Sequence, residues 1–319
     1  MRVLLWHVHG SWTTAFVQGR HEYLIPVTPD RGPDGLGRAR TYRWPETAVE
    51  ITRQEAAEAE VDVVILQRPH ELHGLATEWL GGRRPGRHLP AVYLEHNAPQ
   101  GRIAEMRHLA ADRDDLVVAH VTHFNDLFWD CGSTTTRVIE HGIVDPGDRY
   151  GGELPAAAVV VNEPVRRGRI TGTDLLGRLG AEVPVDLFGM QSGQLAGAPG
   201  VRSVNDLPQA VLHAEMARRR LYLHPVRWTS LGLSLLEAMH LGMPVVALAT
   251  TEVVEAVPPE AGVISTQVEV LADAARRLVA DPEQARLMGK AARAAATSRY
   301  GLERFLADWD RLLDEVRAR

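Results

Sequence analysis

The stretch of this sequence with the most chemistry in it is His224-Pro225-Val226-Arg227-Trp228-Thr229-Ser230-Leu231-Gly232-Leu233-Ser234-Leu235-Leu236-Glu237-Ala238-Met239-His240-Leu241-Gly242-Met243-Pro244-Val245-Val246-Ala247. An apolar, strand-like run ends at His224-Pro225, a loop carries Gly232, and helix-forming residues follow from about Ser234 to Gly242. Glycine commonly closes a helix, and Pro244 then opens the next strand. A helix that begins directly after a glycine turn presents unpaired N–H groups and a positive dipole end, which suits a diphosphate. Glu237 falls about one turn into that helix, where its carboxylate can accept hydrogen bonds from two vicinal hydroxyls. A solvated helix glutamate gives the same pattern. On such a helix surface, truncating Glu237 is expected to leave fold stability nearly unchanged.

Three further groups invite a chemical reading. Arg166, Arg167 and Arg169 follow the strand-like run Ala156–Val161, and arginine can neutralise a diphosphate bidentately. The spacing does not choose between Arg167 and Arg169. His96 follows the run Ala91–Leu94, so it belongs at the carboxyl end of a strand, where open α/β sheets bind ligands. A hydrogen-bonded structural histidine is the alternative. Gly10-Ser11 follows the first strand, and a glycine there lets the backbone approach a phosphate. The fourteen histidines do not form a metal signature. His7 and His9, or His70 and His73, lack companion cysteines, a His-Glu-x-x-His helix or clustered carboxylates, so no metal site is expected.

The elements that must position these groups read as two similar halves. Apolar runs at Val3–Val8, Tyr23–Val27, Val61–Leu66, Ala91–Leu94, Leu116–Val121 and Arg137–Ile139 alternate with helix-permissive stretches. Runs without polar alternation indicate strands buried on both faces, as in a parallel sheet covered by helices. Asp145 to Gly152 carries three glycines and a proline and reads as an interdomain hinge. The pattern then restarts with Ala156–Val161, Val183–Phe188, Arg220–Leu223 and Pro244–Leu248. This gives an α/β protein with domains 1–150 and 151–319. Asp281-Pro282 marks a helix start. Leu302, Phe305, Leu306, Trp309, Leu312, Leu313 and Val316 form one helical stripe. That last helix either completes the second core or returns to the first domain.

With 319 residues, 45% hydrophobic and 24% charged, the chain is an ordinary globular sequence long enough for about two domains. Its net charge of -6 argues against bulk nucleic-acid binding. A single cysteine, Cys131, excludes an internal disulfide and fits a reducing compartment. The apolar start is too short for a signal peptide, and no run suffices to span a bilayer. A soluble, cytoplasmic protein is expected, one whose composition is compatible with contact at a membrane surface to reach a lipid-linked acceptor.

Glu237-Ala238-Met239 and Gly242-Met243-Pro244-Val245-Val246-Ala247 resemble the signature of family-4 retaining glycosyltransferases of the GT-B fold. A looser likeness takes in the opening strand with Gly10, Glu95-His96-Asn97, His141-Gly142-Ile143 and Glu252. The resemblance implies two Rossmann-like domains with a cleft between them, the acceptor on the amino-terminal side and the donor on the carboxyl-terminal side. It implies transfer of a glycosyl group, of hexosyl type, from a UDP- or GDP-type nucleotide sugar to an unidentified acceptor. Configuration would be retained, and neither metal nor other cofactor used. Glu237 would bind the donor ribose, and the backbone at Leu231-Gly232-Leu233, beside Ser230, would meet the diphosphate. Arg166, Arg167 or Arg169 would neutralise it, with Arg167 and His96 nearest the reaction and Gly10 facing the donor. Two departures stand out. The family's first glutamate is Thr229 here, and its Gly-Arg…Lys-Gly loop is replaced by Asn162-Glu163-Pro164-Val165-Arg166-Arg167-Gly168-Arg169. The competing readings are a sugar-nucleotide epimerase on the same fold and a catalytically degenerate sugar-nucleotide-binding subunit.

Overall fold

The computed structural model describes all 319 residues, which divide into two compact units. The first comprises Met1–Val144 and Leu302–Arg319, the second Asp145–Gly301.

In the first unit seven strands run parallel: β1 (Arg2–Leu5), β2 (Glu22–Pro26), β3 (Ala48–Ile51), β4 (Val63–Leu66), β5 (Ala91–Glu95), β6 (Val117–His120) and β7 (Thr135–Val138). Their order is β3-β2-β1-β4-β5-β6-β7. This is the doubly wound arrangement, with the strand order reversing between β1 and β4, where such sheets bind ligands outside the strands' carboxyl ends. The central strands β4, β5 and β6 are buried throughout. Their Val64, Tyr93 and Val118 join Leu4, Trp6 and Trp79 in one core. The amphipathic stripe near the carboxyl terminus folds as the helix Leu302–Arg317, whose Trp309 packs on Phe16 and Trp12 with ring centroids 5.0 and 5.6 Å apart. Such edge-on aromatic pairs contribute roughly 0.5–1.5 kcal/mol each beyond burial.

The second unit has six parallel strands: β8 (Leu154–Val160), β9 (Val185–Phe188), β10 (Val201–Asn205), β11 (Arg219–His224), β12 (Val245–Leu248) and β13 (Gly262–Ser265). Their order, β10-β9-β8-β11-β12-β13, repeats the first unit's plan with its reversal between β8 and β11. The segment Asp145–Gly152 is bonded into the second unit. Arg293 holds the Asp145 carboxylate at 2.8 and 2.9 Å, the Tyr150 hydroxyl donates to the Arg220 carbonyl, and Gly151 and Gly152 donate to the Ala217 carbonyl. Asp281 caps the helix Pro282–Arg299 by accepting from the Glu283 and Gln284 N–H groups. No helix is long and apolar enough to cross a membrane.

Candidate active site

The second unit gathers most of the residues singled out above at the carboxyl ends of its strands. The loop after β8 and the loop after β11 are sewn together there. The N–H groups of Arg227 and Trp228 both donate to the Ile170 carbonyl, at 2.9 and 3.1 Å. Gly172 makes the approach possible. It has a φ of +70°, and a Cβ on it would stand 1.7 Å from the Pro225 carbonyl oxygen. Thr250, after β12, donates its hydroxyl to the Val226 carbonyl. The loop holding Thr229, Ser230 and Leu231 is thus braced from both neighbouring strands; Ser230 and Leu231 are buried and Thr229 is partly exposed.

Gly232 caps the helix Leu233–His240. The imidazole of His224 lies so close beneath it that a Cβ at position 232 would be 2.7 Å from His224 Cε1. The glycine therefore does two things: it starts a helix with open N–H groups, and it lets a buried histidine support the turn. Burial pushes the His224 pKa down to about 4, so the ring packs as a neutral group.

Glu237 is 5% exposed, against the expectation of a surface glutamate. The helix Leu233–His240 lies against the helix Gln209–Ala217, which folds over this carboxylate. Gln209 Nε2 donates to Glu237 Oε1 at 3.2 Å. His213 Nε2 stands 3.3 Å from Oε2, within ion-pair distance but misaligned for a hydrogen bond. Glu237 is a sheltered acceptor in a defined orientation.

The three arginines after β8 separate cleanly. Arg166 forms a two-pronged pair with Glu163, and Arg169 bonds Asp174 at 3.1 Å. Arg227 reaches the same Asp174 through both of its terminal nitrogens. Arg167 alone of the three is partly buried with no carboxylate partner. Burial, followed by the neighbouring Arg166 guanidinium, lowers its pKa from the usual arginine value, while Glu163 opposes them. It stays cationic, because a guanidinium does not lose its proton in a protein. A desolvated cation without a counter-ion is what an anion site requires.

The other candidates belong to the first unit. His96 leaves the end of β5 and is 8% exposed. Its Nε2 lies 3.0 Å from Gln67 Oε1, its ring centroid is 4.0 Å from that of His9, and it meets the Trp12 ring edge-on at 5.3 Å. Burial, with smaller contributions from His9 and His141, holds its pKa well below the ordinary histidine range. Gly10 opens the short helix Gly10–Phe16, where a Cβ would meet the Tyr42 ring at 2.9 Å. Glu95 is structural: it accepts from the Asn97 N–H at 2.7 Å and from His108 Nε2 at 3.1 Å, so it sets the chain direction around His96. A groove of about 620 Å³ in this unit, bordered by Pro85 and Arg113, lies before β5 and β6 and involves none of these residues. No group of three or more His, Cys, Asp or Glu side chains is arranged to hold a metal.

Several supporting residues were not visible beforehand. Gln67 sits directly after the apolar run that became β4, a position that marks it as a strand-end residue. Gln209, His213 and His224 had no signal of spacing, because their roles arise from packing across elements distant in sequence.

The two doubly wound units define the GT-B class of fold. Solved structures share it along their whole length. The sucrose-phosphate synthase from Thermosynechococcus elongatus matches with a TM-score of 0.72 at 17% identity, covering 100% of this chain and 99% of its own. HepE from Anabaena, in complex with UDP and glucose, gives 0.72 at 16% identity over 98% and 99%. A glycosyltransferase from Rickettsia africae gives 0.67 at 12% over 99% and 98%. Residues 192–295, which include the loop Thr229–Leu233, the helix Leu233–His240 and Glu237, match the family model of Glycosyl transferases group 1. That match, on this fold, makes the chain a glycosyltransferase. No curated protein sequence matches it.

Proposed function

We propose that the protein transfers a hexosyl group from a nucleoside diphosphate sugar, with UDP the favoured nucleotide, to an acceptor held by the first unit. The observation that carries the reading is the conjunction in the second unit of a glycine-capped helix, a sheltered glutamate on it and an arginine without a counter-ion. HepE, a neighbour in fold, binds UDP and UDP-glucose. Glu237 accepts hydrogen bonds from the two ribose hydroxyls. The N–H groups around Leu231-Gly232-Leu233 and the Arg167 guanidinium take up the negative charge that grows on the diphosphate as the glycosidic bond breaks. This stabilisation does the work that a divalent cation does elsewhere, and transfer is expected to persist in EDTA. His96 contacts the sugar or the acceptor hydroxyl. The departing diphosphate takes the acceptor proton on the same face as attack, so the anomeric configuration is retained. The compartment is the cytoplasm, which fits the single buried cysteine.

Isothermal titration with UDP, GDP, ADP and dTDP tests the donor reading. Micromolar binding of one of them, and slow release of sugar from its UDP- or GDP-sugar in the presence of EDTA, are the expected results. Absence of binding by all four refutes it. Thr229 supports a second reading, a subunit that binds nucleotide sugar without transferring it. In that case nucleotide binds but neither transfer nor donor hydrolysis is seen, and Thr229→Glu restores turnover.

A further inference from the structure

His96 touches a side chain whose chemistry settles which of its nitrogens carries the proton. Gln67 follows β4, the strand next to β5. Its amide nitrogen lies 2.8 Å from the carbonyl oxygen of Trp6, at the end of β1. A backbone carbonyl only accepts, so the Gln67 NH₂ must face Trp6, and its Oε1 must face His96. An amide oxygen also only accepts. His96 Nε2, 3.0 Å away, is therefore the donor, and the ring's lone pair is on Nδ1. The backbone here is fixed as well: the main-chain N–H of Gln67 donates at 2.6 Å to the buried carboxylate of Glu71, which also binds Arg68 Nε at 2.5 Å. β1 and β4 flank the reversal point of the first sheet, and β5 lies next to β4.

We propose that Gln67 is a positioning residue that fixes His96 in its Nε2–H tautomer and so makes Nδ1 a hydrogen-bond acceptor for a substrate hydroxyl. The proposal rests on the sugar-transfer reading above and specifies the class of group His96 recognises. An imidazole lone pair attracts a hydroxyl proton and repels the oxygens of a carboxylate or phosphate. The surroundings keep the ring in this form. His9 and His141 border it with pKa values lowered to about 4 and about 3, mainly by burial, and the nearby cations Arg68 and Arg304 oppose their protonation further. The neutral His96 ring therefore keeps the same tautomer throughout the range in which enzymes of this kind work.

Long-range ¹⁵N–¹H spectra of the histidine rings in the full chain, without ligand, read the tautomer directly, with His96 assigned from the His96→Asn variant. The expected result is an unprotonated Nδ1 and a protonated Nε2 from pH 5 to 8. A protonated Nδ1 overturns the proposal, and this measurement needs no variant of Gln67. Gln67→Met removes the acceptor: His96 should show a mixture of tautomers, and kcat/KM for sugar transfer should fall tenfold or more with UDP affinity unchanged. Gln67→Glu supplies an acceptor again but adds a charge. It should retain the Nε2–H tautomer, while His96 begins to titrate within that pH range and the rate profile gains a matching limb. An unchanged tautomer in Gln67→Met refutes the positioning role. The expected tautomer with full transfer by His96→Asn refutes instead the assignment of His96 to the substrate site.

Discussion

Glu237 offers the sharpest test of the donor site, provided that the variant is chosen from its surroundings. Glu237→Ala does two things at once. It removes the proposed ribose acceptor, and it strips the half-buried Gln209 amide of its partner at 3.2 Å. Leaving a fully buried donor unsatisfied costs about 1–3 kcal/mol; the half-buried Gln209 amide can regain part of that from water, so this variant should be slightly less stable as well as weaker in binding. At roughly 2–4 °C per kcal/mol for a unit of this size, a melting point about 2–4 °C lower is expected. Glu237→Gln separates the effects. It keeps an oxygen for Gln209 and the same volume, yet replaces a charged acceptor by a neutral one. Hydrogen bonds to charged groups contribute about 1.5–3 kcal/mol and neutral ones about 0.5–1.5. For two ribose hydroxyls the difference is about 2 kcal/mol, or ~30-fold in Kd. Isothermal titration with UDP and differential scanning calorimetry on both variants give the two readings. Unchanged UDP affinity in Glu237→Gln and Glu237→Ala together would refute the assignment, whatever the melting points do.

Three other outcomes follow from the same geometry. Arg167→Ala should weaken UDP binding by about tenfold or more, the loss of a charged donor, with little change in melting temperature. Arg166→Ala and Arg169→Ala should do less, because Glu163 and Asp174 already hold those guanidinium groups; equal effects of all three in titration would remove the distinction drawn for Arg167. Gly232→Ala should destabilise the second unit by about 1–3 kcal/mol, the usual cost of overpacking, since the new methyl would sit 2.7 Å from a buried ring. An unaltered melting curve contradicts that account. Stability should also fall with acid through His224. Its folded pKa of about 4 is below the unfolded value near 6.5, so the unfolded chain takes up the proton first. Its contribution is intact above pH 6.5, is lost progressively toward pH 4 and amounts to roughly 3 kcal/mol. Urea titrations at several pH values should show this dependence reduced in His224→Gln, and an identical dependence in that variant would count against the assignment.

What the sequence revealed of the fold depended on burial. β4, β5, β6, β9, β11 and β12 lie inside their sheets and are buried along their length, so each is written around an apolar run; of the polar exceptions, Asp186 in β9 and Arg219 in β11 are buried as a pair bonded to each other. β3, β10 and β13 escaped notice, and all three are sheet edges. An edge strand has a face or a margin in water, and Ala48-Val49-Glu50-Ile51 or Val201-Arg202-Ser203-Val204-Asn205 accordingly mixes polar with apolar residues. The site divides along a similar line. Gly232, Gly242 and Pro244 encode local backbone geometry and could be read directly. The choice of Arg167 among three arginines could not, because it depends on where Glu163 and Asp174 place their carboxylates. The burial of Glu237 depends likewise on the helix that begins at Gln209.

The two units use one sheet plan for opposite electrostatic ends. At the reversal point between β8 and β11, open helix N–H groups and an unpaired guanidinium make a place for negative charge. At the corresponding point between β1 and β4, the groups nearest the strand ends are imidazoles kept uncharged by burial, and Arg68 there already has Glu71 and Asp34 as partners. A diphosphate would gain little from that second environment, whereas an uncharged hydroxyl would lose little on entering it. The division of labour proposed here, leaving group on the second unit and hydroxyl on the first, thus follows from which cations the fold has left without partners. It also accounts for Thr229. A neutral side chain in the loop before the helix proposed to meet the diphosphate adds no negative charge there, so the proposed anion site does not depend on the glutamate that the resemblance would place at that position.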